Sequence, residues 1–473
     1  MATDPRGLRD DAPLLDAWLR FQEQAPTPFT IPGHKHHTDL VGDVVAGDVP
    51  LYAGLDTMKL SSGVLKEAEN RAARLWGADV CRFSTGGATH ANQAVALAVA
   101  GDGDEVVVSR TLHRSLLLGL VLAGLTPVWV RPEVDLTTGL PLGVKPETVR
   151  RALAQHPRAQ AVLVGDPSYV GTVGDVAGLA AVAHAYGVPL VVDAAWAAHF
   201  GFHPELPRHA LQLGADVVVT SAHKTLPACS QAALLLARTD RVDSGRLDAG
   251  VEATATTSPA GSILASIDAG RALLERHGPE LLGAAIAAVR AARDRLCVVD
   301  GLVVLDGPGV DPLKLTLVLP GTGADGNAIE QDLLTARLPV ESADRDVIVA
   351  VATLADNAAD LDALVNTIVD SIDRHRGDPR AVSGVAAYAV DPVMAMPPRQ
   401  AFFARRDTVT LEQAVGRVSA ELIAPYPPGI PVLAPGEQIT DDTVAALRQA
   451  KTAGIRIAYA TDPTLATITV TTE

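Results

Sequence analysis

The chain has 473 residues, 48% of them hydrophobic but only 4% aromatic, and a formal net charge of −16. That length leaves room for two or three domains whose cores are built from Ala, Val and Leu. The acidic balance disfavours a nucleic-acid partner, which selects a basic face, and the scattered Cys81, Cys229 and Cys297 suggest neither a disulfide framework nor a zinc ribbon.

The opening "MATDPRGLRDDAPLLDAWLR" lacks the apolar run of a secretory signal. The longest apolar stretch, 116–130, is interrupted by Gly119, Gly124 and Pro127. It is also shorter than the ~20 residues that span a bilayer. A soluble cytoplasmic protein with no membrane partner is the expectation.

From about residue 71 to 238, strand and helix patterns alternate. "DEVVVSR" predicts a strand, "SLLLGLVLAG" a helix and "TPVWVRP" a strand. "AQAVLVGDP" is the next strand, "DVAGLAAVAHAYG" a helix ending at Gly187, and "VPLVVDAAW" another strand. "HALQLGA" reads as a short helix before the strand "DVVVTSAHK". Continuous Val/Leu strands between helices predict an α/β fold with a mostly parallel sheet covered on both faces. Further on, 262–299 has a long helical pattern. "GLVVLDG", "LKLTLVLPG" and "RLPVESADRDVIVAVATLAD" predict strands of a smaller α+β unit closed by the helix "ADLDALVNTIVDSIDRH". A Pro-rich region follows, with "VDPVMAMPPRQAFFA" and "APYPPGIPVLAPGE".

Ligands of an open parallel sheet bind beyond the carboxyl ends of its strands. Three segments bring polar residues there. In "FSTGGATHANQAVALAVA" the small-residue turn from Ser84 to Thr89 feeds an alanine-rich helix, either an ordinary capped turn or an anion site for a phosphate. Asp193 closes the apolar run of "PLVVDAAW", as a backbone cap, a structural salt bridge or a functional carboxylate. "ADVVVTSAHKTLP" ends an apolar strand on Ser221, His223 and Lys224. That lysine either turns to solvent or is buried, where its pKa falls and its nucleophilic form is exposed. Anion cradle, strand-end carboxylate and strand-end lysine together match what pyridoxal phosphate requires: a phosphate seat, a partner for the pyridine nitrogen and a Schiff-base amine. His113 in "SRTLHRSLLLG" is either a surface histidine or a ring that stacks on the cofactor.

These residues, with "TPFTIPGHK", "DPSYVGTVGD", "DAAWAAHFGFHPELP", "SAHKTLPACSQ", "TTSPAGSILASIDAG" and "PYPPGIPVLAPGE", resemble the fold-type-I pyridoxal-phosphate decarboxylases of ornithine, lysine and arginine. The resemblance runs in order from near the N-terminus to near the C-terminus. It implies an N-terminal segment at 1–50, a cofactor-binding large domain at 51–300, a small α+β domain at 301–378 and a C-terminal decarboxylase domain at 379–473. Lys224 would be the Schiff-base lysine, His223 would lie beside the reacting carbon, Asp193 would pair with the pyridinium nitrogen, and His113 would stack on the ring. Thr89 and Ser221 would bind phosphate with backbone help around Gly87 and Ala88. Thr257 would reach the neighbouring subunit's phosphate across a homodimer interface.

The implied reaction converts a basic amino acid to its polyamine-type amine and CO2. Transamination and oxygen-dependent oxidative deamination are the alternatives on the same cofactor, and a cofactor-binding relative without turnover is the non-enzymatic one. Ala88 stands where a hydroxyl is expected, and Ala260 or Gly261 where an aromatic is common. The chain starts almost at "PGHK", so the wing domain of longer members is expected to be missing. His34, His36 and His37 are expected to be structural rather than metal ligands. Glu421 and "MPPRQAF" are candidates for the far end of the substrate pocket only through that resemblance.

Overall fold

The computed structural model describes residues 3–25, 27–50, 54–55, 63–382, 390–426 and 430–472. Part of the "PYPPGIPVLAPGE" motif, 427–429, lies outside them. A strand not predicted from the sequence, β1 (Val80–Ser84), precedes the predicted runs, which become β2 (Glu105–Ser109), β3 (Thr126–Val130), β4 (Val162–Gly165), β5 (Leu190–Asp193) and β6 (Val217–Ser221). With β7 (Ala233–Ala237) they form one seven-stranded sheet in the order β1-β7-β6-β5-β4-β2-β3. β7 runs antiparallel to both its neighbours, and every other adjacent pair is parallel.

Strand periodicity of two explains why these runs are apolar throughout. Val218, Val192 and Val164 pack into the core on one face, whereas Val217, Val219, Val191 and Leu163 pack into that on the other. Helices cover both faces, among them α1 (Gly87–Val99), α2 (Arg114–Ala123) and α3 (Val176–Ala185). The start of α3 is set by Asp175, whose carboxylate accepts from the Gly178 amide at 2.8 Å. "HALQLGA" contains only a single 3-10 turn, Ala210–Leu213, because Gly214 in the left-handed region stops it (φ 102°).

The long helical pattern becomes α4 (Gly261–Leu296), 36 residues that carry Pro279 inside them. A Cβ on Gly261 would lie 2.8 Å from the Val49 carbonyl oxygen. This close approach is the physical reason no side chain stands there. The second sheet comprises β8 (Val303–Val304), β9 (Lys314–Val318), β10 (Ser342–Ala343) and β11 (Val347–Val351) in the order β8-β9-β11-β10, with α5 (Ala358–His375) packed nearby. Towards the C-terminus, Arg406–Thr410 pairs with Thr467–Thr471, and a third core gathers Ile423, Leu433, Leu447 and Ile468. Among the described residues no helix is long and apolar enough to cross a membrane.

One buried ion pair ties this C-terminal unit to the seven-stranded sheet. Arg110, just beyond β2, donates to both oxygens of Glu437 and to the Pro431 carbonyl oxygen at 2.9 Å. Glu437 also accepts from the Ala434 amide at 2.8 Å. Both side chains are almost fully buried. Removing one partner strands the other charge in a dry environment, at a cost of about 3–5 kcal/mol. Glu437→Ala is therefore expected to lose stability of that order in denaturant titration, and a loss below about 1 kcal/mol would contradict this account.

Candidate active site

Strand register places the polar residues at one sheet edge. Ser84 and Ser221 both pair with Ala233, so the ends of β1, β7 and β6 are level. Asp193 ends β5 opposite Val219 of β6, and Lys224 follows three residues beyond Ser221 in the short helix Ala222–Thr225. The predicted phosphate seat, lysine and carboxylate thus follow the ends of β1, β6 and β5, with the start of the antiparallel β7 between the first two.

Asp193 is 6% exposed. Its Oδ2 accepts from Asn92 Nδ2 at 2.8 Å, while its Oδ1 is buried with no hydrogen-bond partner among the described residues. A buried carboxylate oxygen left unmatched calls for a donor, preferably a cationic one. Asn92 Nδ2 also donates to Ser115 Oγ at 3.0 Å, and Ser115 Oγ lies 2.8 Å from His113 Nδ1. His113 Nδ1 accepts from the Ser115 amide as the N-cap of α2, so this nitrogen carries no proton and the hydroxyl donates to it. One chain of hydrogen bonds therefore orients His113 and anchors Asp193. Burial lowers the His113 pKa despite the opposing pull of Asp193.

Lys224 is half-buried, and its Nζ lies 4.0 Å from the Trp196 ring centroid. Burial lowers its pKa, against the raising fields of Asp193 and Glu341. A larger share of the free amine results, as a nucleophilic role requires. His223 Nδ1 is 2.8 Å from the Ala232 carbonyl oxygen. That acceptor fixes the proton on Nδ1 and leaves Nε2 as the nitrogen that exchanges protons.

The helix α1 begins at Gly87, which places Ala88 and Thr89 in its first turn, and Gly86 gives no side-chain cap. Gly87 has a φ of 71°, and its amide donates to the Gln231 carbonyl oxygen at 2.9 Å. The Gly87 amide is thus already engaged, and backbone help for an anion would have to come from Ala88 and Thr89. Thr89 is exposed and Ser221 is buried. Thr257 is exposed in the segment between helix Ser244–Thr254 and α4. Glu421 is occupied elsewhere: its two oxygens accept from the Thr461 and Thr469 amides, each at 2.6 Å. His34 lies 3.3 Å from Asp48, and the His36 ring packs against Phe21 with centroids 5.3 Å apart.

Several residues here escaped the sequence reading. Asn92 and Ser115 sit inside helices and carry no local signature. Trp196 and Tyr169 meet edge to face at 5.6 Å. Lys314, the first residue of β9, is 1% exposed, and its Nζ lies 3.4 Å from the Trp196 centroid and 5.5 Å from that of Tyr169. The signal was available: like Lys224, Lys314 adjoins an apolar strand in "DPLKLTLVLPG". Burial pushes its pKa down from 10.5 to about 7, partly offset by Asp311 and Glu341 and reinforced by Lys224.

The residues fit pyridoxal phosphate. Asp193 Oδ1 lacks a donor, which a protonated ring nitrogen would supply, and a low-pKa lysine and an uncapped helix start stand at the same edge. Comparison with known proteins agrees with this geometry. The model of the family described as "Orn/Lys/Arg decarboxylase, major domain" matches residues 12–307, and that of its C-terminal domain matches 383–454. The arginine decarboxylase of Halalkalibacterium halodurans is 33% identical over 98% of this chain and 98% of its own. That of Bacillus subtilis is 31% identical over the same shares. The solved lysine decarboxylase of Francisella novicida superposes with a TM-score of 0.81 at 20% identity, covering 97% of this chain and 79% of its own, which establishes the fold.

The buried amine of Lys314 makes stability depend on pH. Folded, it holds its proton only up to about pH 7; unfolded, up to about 10.5. Between those values the unfolded chain binds more protons, so the penalty is absent at high pH and complete below 7. Lys314→Met is expected to raise the apoprotein's melting temperature by several degrees at pH 6, with the gain shrinking towards pH 10. A gain independent of pH, measured by thermal denaturation, would refute this.

Proposed function

The chain belongs to the Orn/Lys/Arg decarboxylase family, and from that premise we propose that it converts L-arginine to agmatine and CO2 with pyridoxal phosphate. It is a basic amino acid decarboxylase; arginine as the substrate is supported by relatives that carry that name and match nearly end to end. The observation that carries the cofactor reading is the orphaned Oδ1 of Asp193. Bound pyridoxal phosphate supplies an electron sink for the pair released when the bond between Cα and the carboxylate breaks.

The protein's own groups do the rest. Lys224 would provide the amine that holds the cofactor. Asp193, steadied by Asn92, would keep a proton on the ring nitrogen, and His113 would stack against the ring. Ala88, Thr89 and Ser221 would hold the phosphate. After CO2 leaves, His223 Nε2 or Lys224 Nζ delivers one proton to Cα, which balances the reaction.

Thr257 is assigned to the partner subunit's site in a homodimer. Its exposure supports this, as do Phe29 at 94% and Val44 at 84% exposed in the N-terminal segment. The free thiols of Cys81, Cys229 and Cys297 support a cytoplasmic setting.

Purified protein loaded with pyridoxal phosphate should release agmatine and CO2 from arginine faster than the corresponding amines from lysine or ornithine. A keto acid or peroxide as the main product would overturn the reaction, and cadaverine or putrescine the substrate. Lys224→Ala should lose the visible absorbance of bound cofactor. For the dimer, Lys224→Ala and Thr257→Asp chains, each impaired alone, should regain about a quarter of wild-type activity when refolded together, because the mixed dimer then holds one intact site. No recovery would place Thr257 outside the partner's site.

A further inference from the structure

Lys314 brings a titratable amine into the interior, where the fields of Asp311 and Glu341 only partly offset the cost of its charge. Its Nζ is buried with no hydrogen-bond partner among the described residues, and it lies over the rings of Trp196 at 3.4 Å and Tyr169 at 5.5 Å from their centroids. Both nearby acids are engaged elsewhere. Asp311 pairs with His199 Nε2 at 3.2 Å and accepts from the Leu313 amide at 3.0 Å. Glu341 is exposed and accepts from the Tyr169 hydroxyl at 3.1 Å.

The surroundings are built to hold this side chain in place. Gly171, with a φ of 90°, leaves the space that Lys314 fills: a Cβ there would lie 2.7 Å from Lys314 Cβ. Arg293 donates to the Lys314 carbonyl oxygen at 2.7 Å and to that of Asp311 at 3.2 Å, clamping the start of β9. An isolated buried ammonium is costly, so its position at the site points to an anion that arrives from outside.

Which anion follows from the neighbours. The seat for the cofactor's phosphate is at Ala88, Thr89 and Ser221, whereas Lys314 and Lys224 lie within 4.0 Å of the same indole centroid. The group that reacts at Lys224 is the amino acid's amine, and the anion attached one carbon away is its α-carboxylate. We propose that Lys314 is the residue that receives the α-carboxylate of the incoming amino acid and lays it against Trp196. This rests on the decarboxylase reading above. The cation selects for an amino acid over its amine. Trp196 and Tyr169 keep the carboxylate out of water, and the product amine, lacking the carboxylate, loses this contact and leaves.

The test uses the loaded enzyme and three ligands: the amino acid that the wild type decarboxylates, its methyl ester and its amine. Dissociation constants come from absorbance changes in rapid mixing, before turnover. Lys314→Met should weaken the amino acid at least tenfold while moving the ester and the amine by less than twofold. Lys314→Arg, which keeps the charge, should recover part of the loss. Parallel weakening of all three ligands, or none, overturns the proposal. Weakened pyridoxal phosphate with unchanged amino acid affinity also overturns it, by assigning Lys314 to the cofactor. If the wild type forms no amine from any basic amino acid, the decarboxylase reading fails instead, and that result is separate because it needs no variant. Lys314→Gln serves as a second neutral variant should the methionine exchange impair folding.

Discussion

The hydrogen bond from Asn92 to Asp193 joins the helix after β1 to the end of β5, and it satisfies only half of a buried carboxylate. A charge-assisted hydrogen bond contributes about 1.5–3 kcal/mol, less than the several kcal/mol that burial of a carboxylate costs. The deficit has to be met by the packing of two apolar cores against the sheet. Ser115 and His113 extend from the same amide, so the orientation of the His113 ring and that of the carboxylate are one arrangement. In the proposed reading a protonated ring nitrogen would complete it. The protein is meanwhile held in a shape whose hydrogen bonding at Asp193 is unfinished among the described residues.

The same condition recurs a short way off, with the opposite sign. Lys314 Nζ, like Asp193 Oδ1, has no hydrogen-bond partner among the described residues, and Trp196 lies against both Lys314 and Lys224. The two defects come from different sheets: Asp193 from the seven-stranded one and Lys314 from the four-stranded one. A site divided in this way depends on how the sheets are held together, and α4 with Arg293 supplies part of that hold.

Much of this was legible from residues alone, for reasons that can be located. Parallel strands buried on both faces read as unbroken Val and Leu, and so β2 to β6 stood out. Lys224 and Asp193 were visible because charge at the end of such a run is anomalous. The antiparallel β7 was not legible, since "ALLLA" at 233–237 follows Lys224 closely with no amphipathic helical pattern between them, only the single turn Ala222–Thr225. Asn92 was hidden because an asparagine inside a helix has no pattern of its own; only the fold shows that it faces a residue 101 positions away. The amide of Gly87 was expected to serve an anion, but Gln231 takes it, a contact that depends on the turn between Lys224 and β7. Lys314 carried the same signal as Lys224 and was passed over because it starts its strand instead of ending one.

The Arg110–Glu437 pair has a meaning for how such a chain can change over generations. Its members belong to separately recognisable regions, one within 12–307 and one within 383–454. Each region conceals a charge that the other neutralises, so either one set beside an unmatched counterpart would bury an unpaired charge at their junction. Arg110 stands three positions before His113, so that junction and the candidate site share one stretch of chain.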